Sequence, residues 1–193
     1  MKVTLLRITE YPEELITSSA RVCYASQPKT PDANVKLIRN LKDWGHLSMF
    51  EHACATFLVE GVSRACTHQL VRHRIASFSQ QSQRYVNESG FDYVTPPTVE
   101  KDPKVKKVYD EAVEYARKSY KELMELGVPK EDARFLLPNA TSSKIVVTMN
   151  FRELRHFIKL RTEKGAQWEI QALGREMLKL LKEKAPNVFD DLN

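Results

Sequence analysis

No stretch of this chain is apolar enough to span a bilayer. The N-terminal Met1-Lys2-Val3-Thr4-Leu5-Leu6 runs only briefly before Arg7 and Glu10, too short to read as a signal peptide. A soluble, cytoplasmic protein is therefore expected. Cysteine is scarce: Cys23, Cys54 and Cys66 are odd in number and show no Cys-x-x-Cys spacing, which argues against a disulfide framework and against a tetrahedral zinc site. Gly-x-Gly-x-x-Gly and Gly-x-x-x-x-Gly-Lys are both missing, so a phosphate has to be held by arginines and hydroxyls and not by a glycine-rich backbone cradle. A Gly-x-Ser-x-Gly elbow, which would present a serine nucleophile, is missing too. Neither an internal repeat nor a low-complexity tract interrupts the chain, and no shift of composition divides it.

What the chain does hold suits one compact domain. Its length of 193 residues, 42% hydrophobic and 28% charged, is enough to bury roughly 70% of the surface that the unfolded chain exposes. The 30 basic and 25 acidic residues leave a net charge of +5, a modest surplus that suits anionic small molecules or nucleic acid without separating them. The densest chemistry lies in Arg72-His73-Arg74-Ile75-Ala76-Ser77-Phe78-Ser79-Gln80-Gln81-Ser82-Gln83-Arg84-Tyr85, where three arginines, three serines and three glutamines fall within fourteen residues. Guanidinium forks suit phosphate oxygens, hydroxyls suit the remaining lone pairs, and primary amides both donate and accept, as the edge of a pyrimidine or flavin ring requires. The stretch reads as a polar loop that takes a phosphorylated heterocycle.

Periodicity places the surrounding elements. Residues 1 to 9 alternate as an edge strand, and Pro12-Glu13-Glu14 opens a helix whose buried side is expected at Leu15, Ser19 and Val22 to Tyr24. Pro28 and Pro31 break the chain. A second helix from Asp32 carries Leu37, Ile38, Leu41 and Trp44 on one face and closes at Gly45 in a left-handed cap. Ala53 to Val62 reads as a central strand, and Ser63 as the N-cap of a helix reaching to about Arg74. On that helix Gln69, Arg72 and His73 stand at i, i+3 and i+4 and converge on one ligand. Residues 86 to 104 read as irregular chain with one short strand at Phe91 to Val94, and residues 104 to 126 as a long amphipathic helix ending at Gly127. A short helix from Pro129 carries Arg134. Ser142 to Met149 reads as a second buried strand, Asn150 as the cap of the next helix, and Gln167 to Lys184 as a final helix stopped by Pro186. The fold class is α+β: a single domain, residues 1–193, with a mainly antiparallel central sheet flanked by long helices.

Three further features carry chemistry. His46-Leu47-Ser48-Met49-Phe50-Glu51-His52 holds two histidines and a carboxylate, but without a His-Glu-x-x-His helix it reads as a packed turn or ligand loop, and no metal is expected. Cys66 reads as a small buried apolar residue. On the helix that Asn150 caps, Asn150, Leu154, Phe157 and Arg161 share one stripe while Arg152, His156, Lys159 and Glu163 share another. A cation continuing an apolar stripe should be partly desolvated and paired with something anionic, which fits a structural ion pair with a core carboxylate as well as it fits a ligand contact.

Arg72-His73-Arg74, seven residues and then Ser82 resembles the signature of the flavin-dependent thymidylate synthases. The likeness extends to Gln69-Leu70-Val71 before it, Arg84-Tyr85 after it, and the His46 to His52 segment. Asn150-Phe151-Arg152 with His156 and Arg161, and Ala166-Gln167-Trp168-Glu169-Ile170, resemble that family's C-terminal block in order and spacing. The resemblance implies a homotetrameric FAD enzyme that makes dTMP from dUMP, with 5,10-methylenetetrahydrofolate as carbon source and NADPH to reduce the flavin. It implies FAD contacts at Ser48, Arg72, His73, Arg74, Gln80, Asn150, Arg152 and His156. It implies dUMP contacts at Gln69, Arg72, Gln80, Ser82, Gln83, Arg84, Arg134 and Arg161, with Arg161 as the activating residue. Ser79 and Gln80 stand where some members carry Asn and Glu.

Methylating uracil at carbon 5 needs electron density there, and no cysteine is placed to create it by addition. A desolvated Arg161 beside the pyrimidine would favour a more anionic ring, and reduced flavin would supply hydride. Ser82 has no base within the motif to activate it, so its hydroxyl reads as a dUMP contact. The competing class is a basic single-stranded nucleic-acid-binding module, in which the arginines grip a backbone while Phe78 and Tyr85 stack bases. That class accounts for the basic charge but not for a desolvated Arg161.

Overall fold

A computed structural model describes residues 1–28, 30 and 32–193. The chain break expected at Pro31 lies outside the described residues.

One four-stranded antiparallel sheet runs in the order β1 (Lys2–Ile8), β2 (Cys54–Ser63), β4 (Ser142–Asn150), β3 (Ala76–Gln80). The two inner strands alternate as a half-buried sheet must, with Ala55, Phe57 and Val59 of β2 and Ile145, Val147 and Met149 of β4 all buried. On the opposite face the hydroxyls of Thr56 and Thr148 meet at 2.9 Å. The edge position of β1 and the central place of β2 follow the sequence expectation.

Two elements differ at the central motif. The helix opened by Ser63, whose hydroxyl accepts from the Cys66 amide at 3.0 Å, ends at Leu70 instead of Arg74. This helix, α3 (Arg64–Leu70), therefore leaves Arg72 and His73 in a turn. Ala76–Gln80, read as loop, is instead the outer strand beside β4. Its side chains alternate, with Ser77 and Ser79 exposed and Ala76, Phe78 and Gln80 half-buried. Hydroxyls on an edge strand keep it wet on its free side and discourage pairing with another chain.

Contacts divide the described residues into two compact units. The larger comprises Val3–Val59, Gln69–Phe78 and Val146–Asn193. It holds α1 (Pro12–Tyr24), α2 (Ala33–Asp43), a 3-10 turn (Leu47–His52), and three further helices that are numbered below. Its core gathers Ile16, Leu41, Phe50, Phe157, Leu173 and Phe189, all fully buried. On α1 the buried residues are Pro12, Ile16, Thr17 and Ala20, while Leu15, Val22 and Tyr24 face solvent. The helix thus buries a narrow face of small and branched side chains, while Leu15 and Val22 share an outward stripe and Tyr24 is exposed at the last turn. Trp44, expected on the buried face of α2, is also exposed. Gly45 closes α2 with φ +72°, the left-handed conformation that only glycine adopts without cost.

The smaller unit comprises Met1–Lys2, Glu60–His68 and Ser79–Ile145. It holds α4 (Pro97–Glu100), α5 (Pro103–Glu125), α6 (Lys130–Ala133) and a 3-10 turn (Arg134–Leu136). Asp102 caps α5 by accepting from the Lys104 amide at 2.8 Å. The buried side of α5 is Val113 and Tyr120, whereas Val105, Val108 and Tyr115 point outward. Of the short strand expected at Phe91 to Val94, only a single bridge from Tyr93 to Thr141 forms. Cys66 is fully buried, as its apolar reading requires.

In the larger unit, α7 (Phe151–Arg161), α8 (Trp168–Lys184) and α9 (Pro186–Phe189) follow β4, and the C-terminal residues return onto α2 and α7. Asp191 binds both terminal nitrogens of Arg155, at 2.8 and 2.6 Å, and Lys42 bonds to Asp190 and Asp191. Partial burial pushes the Asp191 carboxyl up. The Arg155 hydrogen bonds and the charges of Arg155 and Lys42 outweigh burial and hold it well below the usual carboxylate range. A depressed carboxyl stabilises the folded chain above its unfolded pKa and loses that effect as pH falls through the folded one. Asp191 is 44% exposed, so solvent screens much of the interaction. Asp191→Asn should cost about 1 kcal/mol in urea unfolding at neutral pH, and the deficit should shrink below about pH 4. A deficit that stays constant into acid would contradict the charge pairing.

Candidate functional site

Helix α7 carries the centre of the site. Asn150 Oδ1 accepts from the Glu153 amide at 2.8 Å, the cap expected from the sequence, and sets where the helix begins. Leu154 and Phe157 are buried, Arg152, His156 and Lys159 are exposed, and Arg161 at the last turn is half-buried, as the two stripes require. Arg161 Nε donates to His73 Nε2 at 3.1 Å and its Nη2 donates to the Gln69 carbonyl oxygen at 3.3 Å. The direct partners are neutral acceptors, where the spacing called for an anion. The carboxylate stands one step further on: Glu153 Oε1 lies 2.7 Å from His73 Nδ1.

That geometry assigns the protons. Arginine has no acceptor, so His73 Nε2 must present a lone pair, and the ring proton of a neutral imidazole then sits on Nδ1 and donates to an ionised Glu153. His73 is only 4% exposed and packs edge-on against Phe157 at 5.0 Å. Burial pushes its pKa below the usual histidine range. The Glu153 hydrogen bond and charge oppose that shift, while the charges of Arg161 and His156 add to it. Donor atoms of His73, Glu153 and His156 lie within 4.8 Å of one another, but both nitrogens of His73 are already engaged, so the arrangement is a hydrogen-bond chain.

Beside this chain, still within the larger unit, lies a cleft of about 750 Å³. Its cations are Lys42, Arg152, Arg155 and Lys159, its carboxylates are Glu51, Glu153 and Asp191, its apolar lining is Leu47, Ile75 and Leu192, and Asn150 and His156 complete it. Lys42 and Arg155 are neutralised by the C-terminal aspartates, and Arg152 meets Glu51 at 2.5 Å on the surface. Asn150, Arg152 and His156, three of the residues assigned to FAD by resemblance, therefore share one wall. Ser48 sits exposed on the 3-10 turn, with its hydroxyl 3.2 Å from Met49 Sδ, and Arg72 and Arg74 are exposed in the turn after α3.

The smaller unit groups another set. Arg84 Nε donates to Glu131 Oε2 at 3.1 Å, and Arg134 Nε donates to the Glu131 carbonyl at 3.0 Å, so two of the residues assigned to dUMP by resemblance converge on one residue of α6. Ser82 Oγ accepts from the Arg84 amide at 3.2 Å, and Gln83 is half-buried beside it in sequence. Gln80 turns inward: its amide nitrogen donates to Thr67 Oγ1 at 2.9 Å and Ser143 Oγ at 3.1 Å. A neutral amide suits two hydroxyl acceptors in a way that a carboxylate, which donates nothing, does not.

Two charged residues passed over in the sequence belong to these groups. Burial and then the charge of Arg134 push the Arg64 guanidinium below its ordinary range, with Glu88 opposing. Its signal was available, since a cation in the first turn of a helix opposes the macrodipole and needs another reason to be there. Glu153 also had one: it falls on the Leu154, Phe157 and Arg161 stripe, where a bare carboxylate is out of place.

The model of the family described as thymidylate synthase complementing protein matches residues 4–187. A flavin-dependent thymidylate synthase of Geobacter sulfurreducens is 48% identical over 200 residues, covering 99% of this chain and 86% of that protein. Others from Pyrococcus abyssi, at 46% over 92% of this chain and 78% of its own length, and Clostridium tetani, at 41% over 98% and 85%, are similar. This chain belongs to the flavin-dependent thymidylate synthase family.

The Asn150 cap can be tested apart from any ligand. Asn150→Ala should lower the stability of the flavin-free protein to urea by about 1 kcal/mol, while Asn150→Asp should retain it. Equal midpoints for all three proteins would remove Asn150 from the account of how α7 is positioned.

Proposed function

We infer that this chain is a thymidylate synthase that methylates dUMP reductively to dTMP, taking the carbon from 5,10-methylenetetrahydrofolate and the hydride from FAD reduced by NADPH. Family membership supports the reaction, and one observation carries its local chemistry: the half-buried Arg161 guanidinium is held by two neutral acceptors, so its positive charge is oriented but not directly cancelled. A charge held in this way favours electron density on a pyrimidine placed against it, and so favours attack from carbon 5 on the folate methylene.

The residues present fit a flavin dinucleotide. The cleft of the larger unit combines apolar side chains with four cations and three carboxylates, a lining that offers contacts to an aromatic ring system and cations to a linked diphosphate. Asn150, Arg152 and His156, with Ser48, Arg72, His73, Arg74 and Gln80, are the residues proposed to hold it. Bound FAD, once reduced by NADPH, supplies the hydride. The dUMP contacts proposed are Gln69, Arg72, Gln80, Ser82, Gln83, Arg84, Arg134 and Arg161. Arg72, Arg84 and Arg134 carry the charge that a phosphate demands, and Ser82 orients by hydrogen bonding without acting as nucleophile.

The chain is read as one domain, residues 1–193, because the family model runs unbroken through residues of both units. A homotetramer with shared active sites accords with the outward apolar stripe Val105, Val108 and Tyr115 on α5. A cytoplasmic location is proposed, since Cys23, Cys54 and Cys66 form no disulfide; no helix among the described residues is long and apolar enough to cross a membrane. Nucleic-acid binding is set aside as the main activity, since a backbone grip gives no reason for burying His73 beneath Arg161.

The purified protein should be yellow, and NADPH should bleach its flavin spectrum. Arg161→Ala should abolish tritium release from labelled dUMP while leaving the flavin bound; wild-type turnover in that variant would sink the assignment. Arg72→Ala should weaken FAD or dUMP binding by roughly 1.5 to 3 kcal/mol, the scale of a charge-assisted hydrogen bond. Salt-dependent oligonucleotide binding by a colourless protein would favour the rival class.

A further inference from the structure

We propose that Glu153 is a positioning residue of the reaction: acting through the His73 imidazole, its carboxylate fixes the direction in which Arg161 presents its guanidinium. The proposal rests on the reading of Arg161 as the group that activates the pyrimidine. It deepens that reading by naming what aims the charge.

Glu153 is 7% exposed and lies in the first turn of α7, while Arg161 lies in the last turn of the same helix. The two do not meet directly. His73, from the turn after α3, stands between them, 2.7 Å from one and 3.1 Å from the other. Every donor and acceptor in this chain has one compatible assignment. Arg161 Nε can only donate, His73 Nε2 must accept, Nδ1 must carry the proton, and Glu153 must accept it. Glu153 therefore selects the tautomer. Were the ring proton to move to Nε2, two N–H groups would face each other across 3.1 Å, and Arg161 would have to turn away.

A stabilising role alone would not require this order, since a carboxylate placed against Arg161 would neutralise it directly. The imidazole instead holds the guanidinium in place while keeping the carboxylate one ring away from it, which leaves the positive charge available to a ligand. Arg161 Nη2 is fixed by the Gln69 carbonyl, and Nη1 has no protein partner among the described residues. The titratable and charged groups facing His73 are Glu153, Arg161 and His156, the last with its ring centre 5.6 Å away. Glu153 alone among them favours a proton on the ring.

Glu153→Gln and Glu153→Ala test this. In Glu153→Ala, kcat should fall at least about tenfold, the effect of losing one charged hydrogen bond, with the KM for dUMP and the bound flavin near wild type. Glu153→Gln keeps an acceptor for Nδ1–H and should recover most of the loss. Both variants remove the charge that raises the His73 pKa, so the acid limb of the kcat/KM profile should move to lower pH. Nitrogen-15 spectra of the histidine rings in flavin-free protein, with the His73 signals assigned by His73→Gln, give a readout independent of turnover. Wild type should show the Nδ1–H tautomer, and Glu153→Ala should lose that preference. An Nε2–H ring in wild type, or variants with unchanged kcat, pH profile and ring spectra, overturns the proposal. Absence of dTMP synthesis in wild type would instead overturn the reading beneath it, and the ring spectra would still report on the positioning chain.

Discussion

A guanidinium cannot accept a hydrogen bond, and at the centre of this protein that constraint propagates through three side chains. Arg161 is half-buried and must find acceptors, so His73 presents Nε2 and the Gln69 carbonyl turns inward. His73, buried in its turn, must place its own proton, and Glu153 receives it. Each group satisfies the next. The chain is possible only because α7, capped by Asn150, carries Glu153 and Arg161 two turns apart on adjoining sides of one face, and because the backbone after α3 turns at Leu70 to deliver His73. Capping, helix phase and turn geometry therefore all converge on the orientation of one charge.

Arg155 and Arg161 lie on the same helix and show two uses of a half-buried cation. Arg155 is clamped by the two oxygens of Asp191, with Lys42 reinforcing the same aspartates. Its charge is cancelled where it stands, and the consequence is that the C-terminal residues hold to α2 and α7. Arg161 is bound by neutral groups only, and its charge remains to act on whatever approaches. Arg84 and Arg134 fall between these extremes: both are tied to Glu131, one by its carboxylate and the other by its backbone oxygen, while both stay on a surface open to solvent or ligand. Identical side chains are thus cancelled in place or left with their charge available, according to whether the acceptor beside them is anionic or neutral.

Much of this was legible in the chain itself, for physical reasons that differ from element to element. The strands β2 and β4 announce themselves through short runs rich in small and β-branched residues, and α5 and α8 because long amphipathic periodicity does not arise in loops. Asn150 was legible as a cap, and the two stripes of α7 followed from helical phase. The strand β3 was not. Five polar and small residues read as a loop in isolation, and they become a strand only because β4 offers a free edge of backbone donors and acceptors. The buried face of α1 was misread for a related cause: the helix has apolar groups on two sides, and periodicity cannot say which side the core takes.

The sequence by itself determined the class of elements, their order, the family, and the residue types that gather near Arg72 and on α7. Those follow from local rules, periodicity and capping, and from motif spacing. Only the tertiary structure decided the chemistry between them. That Arg161 faces an imidazole instead of a carboxylate, that Glu153 acts from one ring away, and that Gln80 turns to Thr67 and Ser143 are all outcomes of contacts between residues far apart in the chain. No local rule specifies them, because hydrogen bonds between distant side chains depend on how strands and turns bring them together, and a shift of one residue in any of those elements would exchange the partners.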